Sequence, residues 1–271
     1  MLIIDILKYV LMAVVQGVTE VLPISSSGHL AIMGQILNIE DNSITFSVFL
    51  HLASLIATLF FLRKRLCQLI KGFFLYLFKK EKQYKKEYHT CWMVVVATLP
   101  AVVFALLVGD LIENLSSKLW VIGMLLMING AALYIFSKFK PRENQEMTYV
   151  DALVMGGFQC FGLFSGISRS GSCINGGSSR GLKKENVADF AFIMLIPAVL
   201  GATVLELKDF SSLTISSDTI YLYLISFVVT LFVTYFSFEL LLVAIRKSKF
   251  IYFTIYCEII GLITLIFGLV K

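Results

Sequence analysis

The sequence predicts an all-α integral membrane protein with an inverted-topology repeat, each repeat being a re-entrant helical hairpin followed by three transmembrane helices. Three observations predict it. The 271-residue chain is 58% hydrophobic and only 15% charged, with a mean hydropathy of +0.85, whereas soluble domains are about half apolar and about a quarter charged. Ile122–Phe136, Phe190–Leu205, Tyr221–Phe236 and Ile251–Val270 are nearly free of charge, and runs of about 20 residues match a hydrocarbon core of roughly 30 Å at about 1.5 Å per residue. Finally, two polar segments rich in serine and glycine, 143 positions apart, interrupt otherwise apolar surroundings.

The apolar runs give six crossings, over roughly 44–62, 90–108, 119–136, 187–206, 219–245 and 250–270. Residues 63–86 carry nine lysines and arginines, from Arg63, Lys64 and Arg65 to Lys85 and Lys86. This strongest basic cluster belongs in the cytoplasm, with its apolar middle, Leu69–Phe78, at the interface. Orientation then propagates. The 109–118 and 207–218 loops fall outside, while the 137–148 loop and Arg246, Lys247 and Lys249 fall inside, so every basic loop lands on the cytoplasmic side. Both termini then face outside, and the N-terminal stretch, which lacks a signal-peptide cleavage pattern, stays in the mature protein. Five scattered cysteines (67, 91, 160, 173, 257) read as free thiols.

Two broken regions remain, 1–40 and 149–183. Each must enter and leave on one face, from opposite sides of the membrane. Irregular backbone at membrane depth is tolerated only against protein or a water-filled cavity, which polar hairpin tips supply. Gln16, Ile24, Ser25, Ser27 and Gly28 align without a gap on Gln159, Ile167, Ser168, Ser170 and Gly171, and Ser26 on Arg169. One membrane domain, 1–271, thus divides into repeat one, 1–140, and repeat two, 149–271. Three crossings per repeat invert the second copy, and such folds place their site where the tips meet.

The first tip, QGVTEVLPISSSGHL, offers Gln16 and Glu20 on one helical face, then Ser25, Ser26, Ser27 and His29. The second, QCFGLFSGISRSGSC, offers Ser168, Arg169, Ser170 and Ser172 among Gly166, Gly171, Gly176 and Gly177. Glycines turn N–H groups toward an anion, and an arginine fork suits phosphate oxygens. A carboxylate, hydroxyls and a histidine add metal-binding, nucleophilic and acid–base capacity. The plain structural alternatives are that Ser25–Ser27 cap the next helix, that His29 is a helix-end residue, and that Glu20 and Arg169 form an ion pair between the tips. His51 is read as a packed or interface histidine, and Glu239 and Glu258 as residues facing water near helix ends rather than proton sites, the other reading open to each. No Walker loop, zinc spacing or dinucleotide fingerprint occurs, and no nucleic-acid partner is expected.

These tips resemble the undecaprenyl pyrophosphate phosphatase family, the bacitracin-resistance (BacA) type. Its signature (E/Q)-x-x-x-E followed by L-P-(I/V)-S-S-(S/T)-G-H is matched in full from Gln16 to His29. Its second, P-G-x-S-R-S-x-x-T, is matched from Ser165 to Cys173, with serine for proline and cysteine for threonine. Tyr256-Cys257 stands where the family commonly has Tyr-Arg.

The resemblance implies hydrolysis of C55 polyprenyl diphosphate to the monophosphate and inorganic phosphate, which recycles the lipid carrier for peptidoglycan synthesis in the bacterial plasma membrane. It implies a divalent cation, Mg²⁺ or Ca²⁺, with Glu20 as metal ligand or base, Ser26 as nucleophile and His29 as an alternative group acting at phosphorus. Arg169, Ser168 and Ser170 would hold the diphosphate, with Gln16, Ser25, Ser27 and Gly171 completing the substrate site. A hydroxyl at position 173 would donate to phosphate or hold the loop, so Cys173 is expected either near the cradle and open to a small thiol reagent, or packed and unreactive. The sequence leaves a homodimer open, and it leaves a transporter of polyprenyl phosphate lipids as the other reading.

Labelling of single cysteines from each side checks the topology. A cysteine near residue 40 is expected to react from outside, and one at residue 80 only from the cytoplasm. The opposite pattern at either position overturns the assignment.

Overall fold

In the computed structural model, residues 2–39, 44–142, 146–206, 217–246 and 249–270 are described, and all their regular structure is helical. The helices are α1 (Leu2–Thr19), α2 (Ser26–Leu37), α3 (Ile44–Phe61), α4 (Arg63–Lys79), α5 (Lys85–Ser116), α6 (Leu119–Ser137), α7 (Tyr149–Phe161), α8 (Arg169–Ser179), α9 (Lys184–Glu206), α10 (Ser217–Arg246) and α11 (Phe250–Val270), with a 3₁₀ turn at Lys82–Tyr84. Lys208, Asp209 and Lys247, which the sequence assigns to loops, lie outside the described residues.

The expected crossings are present as helices, with two corrections. Five helices are by themselves long and apolar enough to cross a membrane, whereas α3 qualifies only together with α4, from which it is bent by 71°. The basic segment expected as a loop is therefore largely a helix. It exposes Ile70, Phe74 and Phe78 at successive turns, flanked by the exposed Lys64 and Lys71, the mix of apolar and basic side chains of a helix lying in the interface. The expected outer loop 109–118 is likewise helical as far as Ser116, with a break at Val108 (φ −129, ψ 19).

The broken regions form two hairpins, with α1 packed on α2 and α7 on α8. The second hairpin is fastened at its base. Thr148 Oγ1 accepts from Asp151 N–H at 3.3 Å, and Asp151 Oδ2 accepts from Thr148 N–H at 2.9 Å, a reciprocal cap that starts α7. Asp151 Oδ1 also receives Arg180 Nε–H at 2.7 Å, tying the start of α7 to the end of α8. Buried Asp151 is thereby paired rather than left as an isolated charge.

Helix packing is reciprocal between the halves: α1 lies on α10 as α7 lies on α5, α3 meets α9, and α6 runs against α11. Side chains on one helix satisfy backbone on the next, as Ser226 Oγ donates to Tyr9 C=O and Thr230 Oγ1 to Ala13 C=O, each at 3.2 Å. Hydroxyls of this kind and small residues at contacts are how helices associate where lipid supplies no hydrophobic drive. The α6–α11 seam depends on Gly261, where an added Cβ would lie 2.8 Å from Gly123 C=O. Large apolar side chains such as Leu106, Leu107, Leu240 and Ile263 point outward, as a lipid-facing surface requires.

Gly261→Leu is expected to lower the thermal midpoint in detergent by about 3 °C or more, the scale of overpacking by about 1 kcal/mol or more. Gly201→Leu, where an added Cβ meets nothing within 4 Å, is expected to leave it unchanged. Equal behaviour of the two variants would contradict a close-packed α6–α11 seam.

Candidate active site at the meeting of the two tips

The chain between α1 and α2 and the chain between α7 and α8 meet in the protein interior and are joined by side chains. Ser25, whose backbone is left-handed (φ 71), accepts from Gly28 N–H at 3.3 Å as the cap of α2. The same Oγ accepts from Gly166 N–H at 3.0 Å, across to the other tip. Asn129, from the middle of α6, spans both: its Nδ2 donates to Pro23 C=O at 2.9 Å, and its Oδ1 accepts from Ser168 N–H at 3.1 Å. Ser170 Oγ donates to Val21 C=O at 3.4 Å, so this serine also lies at the junction. The tips approach closely enough that a Cβ on Gly28 would sit 3.0 Å from Gly166 N.

A cavity of about 200 Å³ opens beside this junction, lined from tip one by Glu20, Ser26 and Ser27, from tip two by Ser168 and Arg169, and from α3 by His51. Ser26 Oγ donates to Glu20 Oε2 at 2.6 Å, a short charge-assisted bond. Gln16 stands behind the carboxylate. Its Nε2 donates to Glu20 Oε2 at 3.0 Å and lies 3.0 Å from His51 Nδ1 and 3.4 Å from Ser54 Oγ. His51 Nδ1 itself is 3.4 Å from Glu20 Oε2. The Nε of Arg169 is buried and, among the described residues, has no hydrogen-bond partner. An unpaired buried guanidinium N–H is costly unless a ligand supplies the acceptor.

The structure separates the sequence candidates into three groups. Glu20, Ser25, Ser26, Ser27, Ser168 and Arg169 line the cavity, and among the described residues no ion pair joins Glu20 to Arg169, so the structural-pair alternative is not what is found. Gln16, Ser170 and Gly171 lie behind it and hold its walls. Ser25 and Ser168 do cap α2 and α8.

His29 points elsewhere. Its Nδ1 lies 2.7 Å from Ser25 C=O and must donate there, so a neutral ring leaves Nε2 to accept from Tyr256 O–H at 2.8 Å. Both nitrogens are engaged, and His29 ties tip one to α11. Cys173 is also away from the cavity, buried, with its thiol donating to Gln159 Oε1 at 3.4 Å. Of the two readings of position 173, the packed cysteine is the one found, and the reachable thiol is not.

Two residues were misread or missed in the sequence. His51, taken for a packed or interface histidine, stands against the Glu20 carboxylate on the cavity wall, and Asn129 bridges the tips. Both carried a signal, since a polar side chain inside an apolar span is expensive and marks a function or a buried partner.

Asn129→Leu keeps the branched shape of the side chain but strands Pro23 C=O and Ser168 N–H, at about 1–3 kcal/mol for each unsatisfied group. We expect phosphate release to fall at least about tenfold, with the helical content unchanged by circular dichroism. Wild-type turnover in this variant would show that the tips do not depend on it.

The model of the bacitracin resistance protein BacA family matches residues 9–263. An undecaprenyl-diphosphatase of Methanosphaera stadtmanae is 35% identical over 277 residues, covering 98% of this chain and 99% of the relative. Undecaprenyl-diphosphatase 2 of Bacillus thuringiensis is 33% identical over 264 residues, covering 97% of each chain. The undecaprenyl-diphosphatase of Thermosipho africanus is 38% identical over 202 residues, 74% of this chain and 78% of the relative. With its two tips, the Ser26–Glu20 pair and Arg169 in one cavity, and with relatives along almost its whole length, the chain belongs to the BacA family.

Proposed function

We propose that the chain is an undecaprenyl-diphosphatase, hydrolysing undecaprenyl diphosphate to undecaprenyl phosphate and inorganic phosphate in the cavity between the tips. The observation that carries this reading is the 2.6 Å bond from Ser26 Oγ to Glu20 Oε2 in the cavity that holds Arg169. The names of the relatives support it. A carrier of polyprenyl phosphate lipids needs the arginine but has no need of a hydroxyl poised on a carboxylate.

In this reading Arg169 donates to the diphosphate oxygens, filling the bonding capacity left open at its Nε. Ser168, which lines the same wall, adds a neutral donor. Ser26 Oγ attacks the terminal phosphorus as its proton passes to Glu20 Oε2. The bond from that phosphorus to the bridging oxygen breaks, and undecaprenyl phosphate leaves with the electron pair and takes up the proton. Water then attacks the phosphoserine, giving its proton to Glu20, which returns it to Ser26 Oγ as inorganic phosphate departs. Positioning and charge stabilisation do most of this work. Gln16 holds the carboxylate from behind and His51 from the cavity wall, and His29 positions the tip through Tyr256.

The oxygen donors suit a hard divalent cation such as Mg²⁺ or Ca²⁺. Among the described residues Glu20 is the single carboxylate on the cavity wall, and Gln16 Oε1, one helical turn earlier, is buried without a partner. One carboxylate plus substrate phosphates is a common set for Mg²⁺, and among the described residues no three His, Cys, Asp or Glu side chains converge to hold a metal alone. When bound, the cation would neutralise charge on the diphosphate.

The reciprocal packing of α1 on α10 and α7 on α5 supports an inverted repeat, and the basic segment 63–86 supports a plasma-membrane topology with both termini outside.

Glu20→Gln, Ser26→Ala and Arg169→Ala are each expected to lower phosphate release from C55 diphosphate at least about a hundredfold, and EDTA is expected to lower it in the natural protein. Full activity of both Glu20→Gln and Ser26→Ala, with lipid movement in vesicles abolished by Arg169→Ala, would replace the enzyme by a carrier.

A further inference from the structure

A larger cavity lies on the face that carries the basic segment. Of about 590 Å³, it is bounded by α4, the 3₁₀ turn, α5, α7 and α9, and none of its lining residues lines the catalytic cavity. Four cationic side chains face it: Arg65, Lys82, Lys85 and Lys86. Two carboxylates, Glu146 and Asp189, also face it, leaving an excess of two positive charges. Each carboxylate is already engaged. Arg65 Nε pairs with Asp189 Oδ2 at 3.1 Å, and Lys86 Nζ with Glu146 Oε1 at 3.4 Å. Among the described residues neither Lys82 nor Lys85 forms an ion pair, so the excess charge is concentrated at those two ammonium groups.

The surroundings fix the depth of this cavity. Tyr149 lines it and accepts or donates at 2.8 Å to His89 Nδ1. Trp92 packs edge-on against Tyr88, and both Tyr149 and Trp92 keep more than a third of their surface exposed. Tyrosine and tryptophan gather at the headgroup level of a bilayer. Next in sequence to Tyr149, Val150 is 57% exposed, as a side chain facing acyl chains would be. The exposed Ile70–Phe74–Phe78 stripe of α4 belongs to the same interface. A concave site with unpaired ammonium groups at headgroup depth fits a phosphate monoester or diester that arrives from the bilayer.

We propose that this cavity binds the headgroup of an anionic glycerophospholipid, its phosphate held by Lys82 and Lys85 and its acyl chains lying outside Tyr149 and Trp92. Basic pockets at the membrane surface recognise anionic lipids in this way. The walls come from both halves of the chain, with α4 and α5 on one side and α7 and α9 on the other, so the lipid bridges them beside the root of the hairpin that carries Arg169. The assignment is independent of the phosphatase reading.

The test uses the purified full chain in a neutral detergent and follows the thermal unfolding midpoint on adding phosphatidylglycerol, phosphatidylcholine or inorganic phosphate, with native mass spectrometry counting bound lipid. Phosphatidylglycerol is expected to raise the midpoint by about 3 °C or more, and the other two additives to leave it unchanged. Lys82→Ala/Lys85→Ala is expected to lose the shift and one bound lipid while releasing phosphate from C55 diphosphate at the natural rate. Lys64→Ala/Lys71→Ala, which removes the same charge from α4 outside the cavity, is expected to keep both. Lys82→Gln alone gives a partial loss and serves if the double variant fails to fold. An undiminished shift in the cavity variants, an equal shift with phosphatidylcholine, or a shift reproduced by inorganic phosphate would each overturn the proposal.

Discussion

The structure depends on satisfying two breaks in helical backbone deep within an apolar protein. Each break strands N–H and C=O groups that lipid cannot serve. Local turns meet part of the need, through bonds such as Ile24 N–H to Leu22 C=O in tip one and Ile167 N–H to Phe164 C=O in tip two. Side chains meet a further part: Asn129, Ser25 and Ser170 pair Pro23, Gly166, Ser168 and Val21 across the junction, and Ser116 Oγ accepts from Ser165 N–H at 3.4 Å. The breaks can persist only because they face one another and share α6 as a brace. Neither hairpin closes its own backbone alone.

The same constraint makes a polar cavity. Once the tips are held together, the side chains not needed for the junction, Glu20, Ser26, Ser27 and Arg169, face a small water-accessible space instead of lipid. The halves contribute different chemistry to it. Ser26 of tip one aligns with Arg169 of tip two, so related positions supply a hydroxyl on one wall and a cation on the other. An anion with a reacting phosphorus can be gripped from one side and attacked from the other. Gln16 and Gln159, also related, remain buried behind their tips, one on the carboxylate and one on the Cys173 thiol.

Departures from the family pattern are absorbed by neighbours. Cys257, where the family commonly has arginine, is fully buried and receives Asn129 Nδ2–H at 3.6 Å. Cys173, in place of threonine, keeps a hydrogen bond to Gln159. Both changes fall beside the braces of the junction, while the two charged residues that the signatures name, Glu20 and Arg169, stand on the cavity wall.

The sequence by itself determined the membrane class, the helical crossings, the two broken hairpins and their convergence. Apolar run length and the polar residues that interrupt it at two places 143 positions apart are properties of the chain that can be read without knowing how it packs. It also named the wall residues Glu20, Ser26 and Arg169, because charge and hydroxyls at membrane depth have few other uses. Only the tertiary structure decided which way each tip residue faces. Within an irregular turn no 3.6-residue period assigns a side, so Ser170 and His29, adjacent in motif to wall residues, turn out to fasten the tips, and Cys173 packs behind them. Only the tertiary structure could bring His51 to Glu20 and Asn129 to Pro23, because those contacts span 31 and 106 residues and arise from how α3 and α6 pack, which local pattern does not encode.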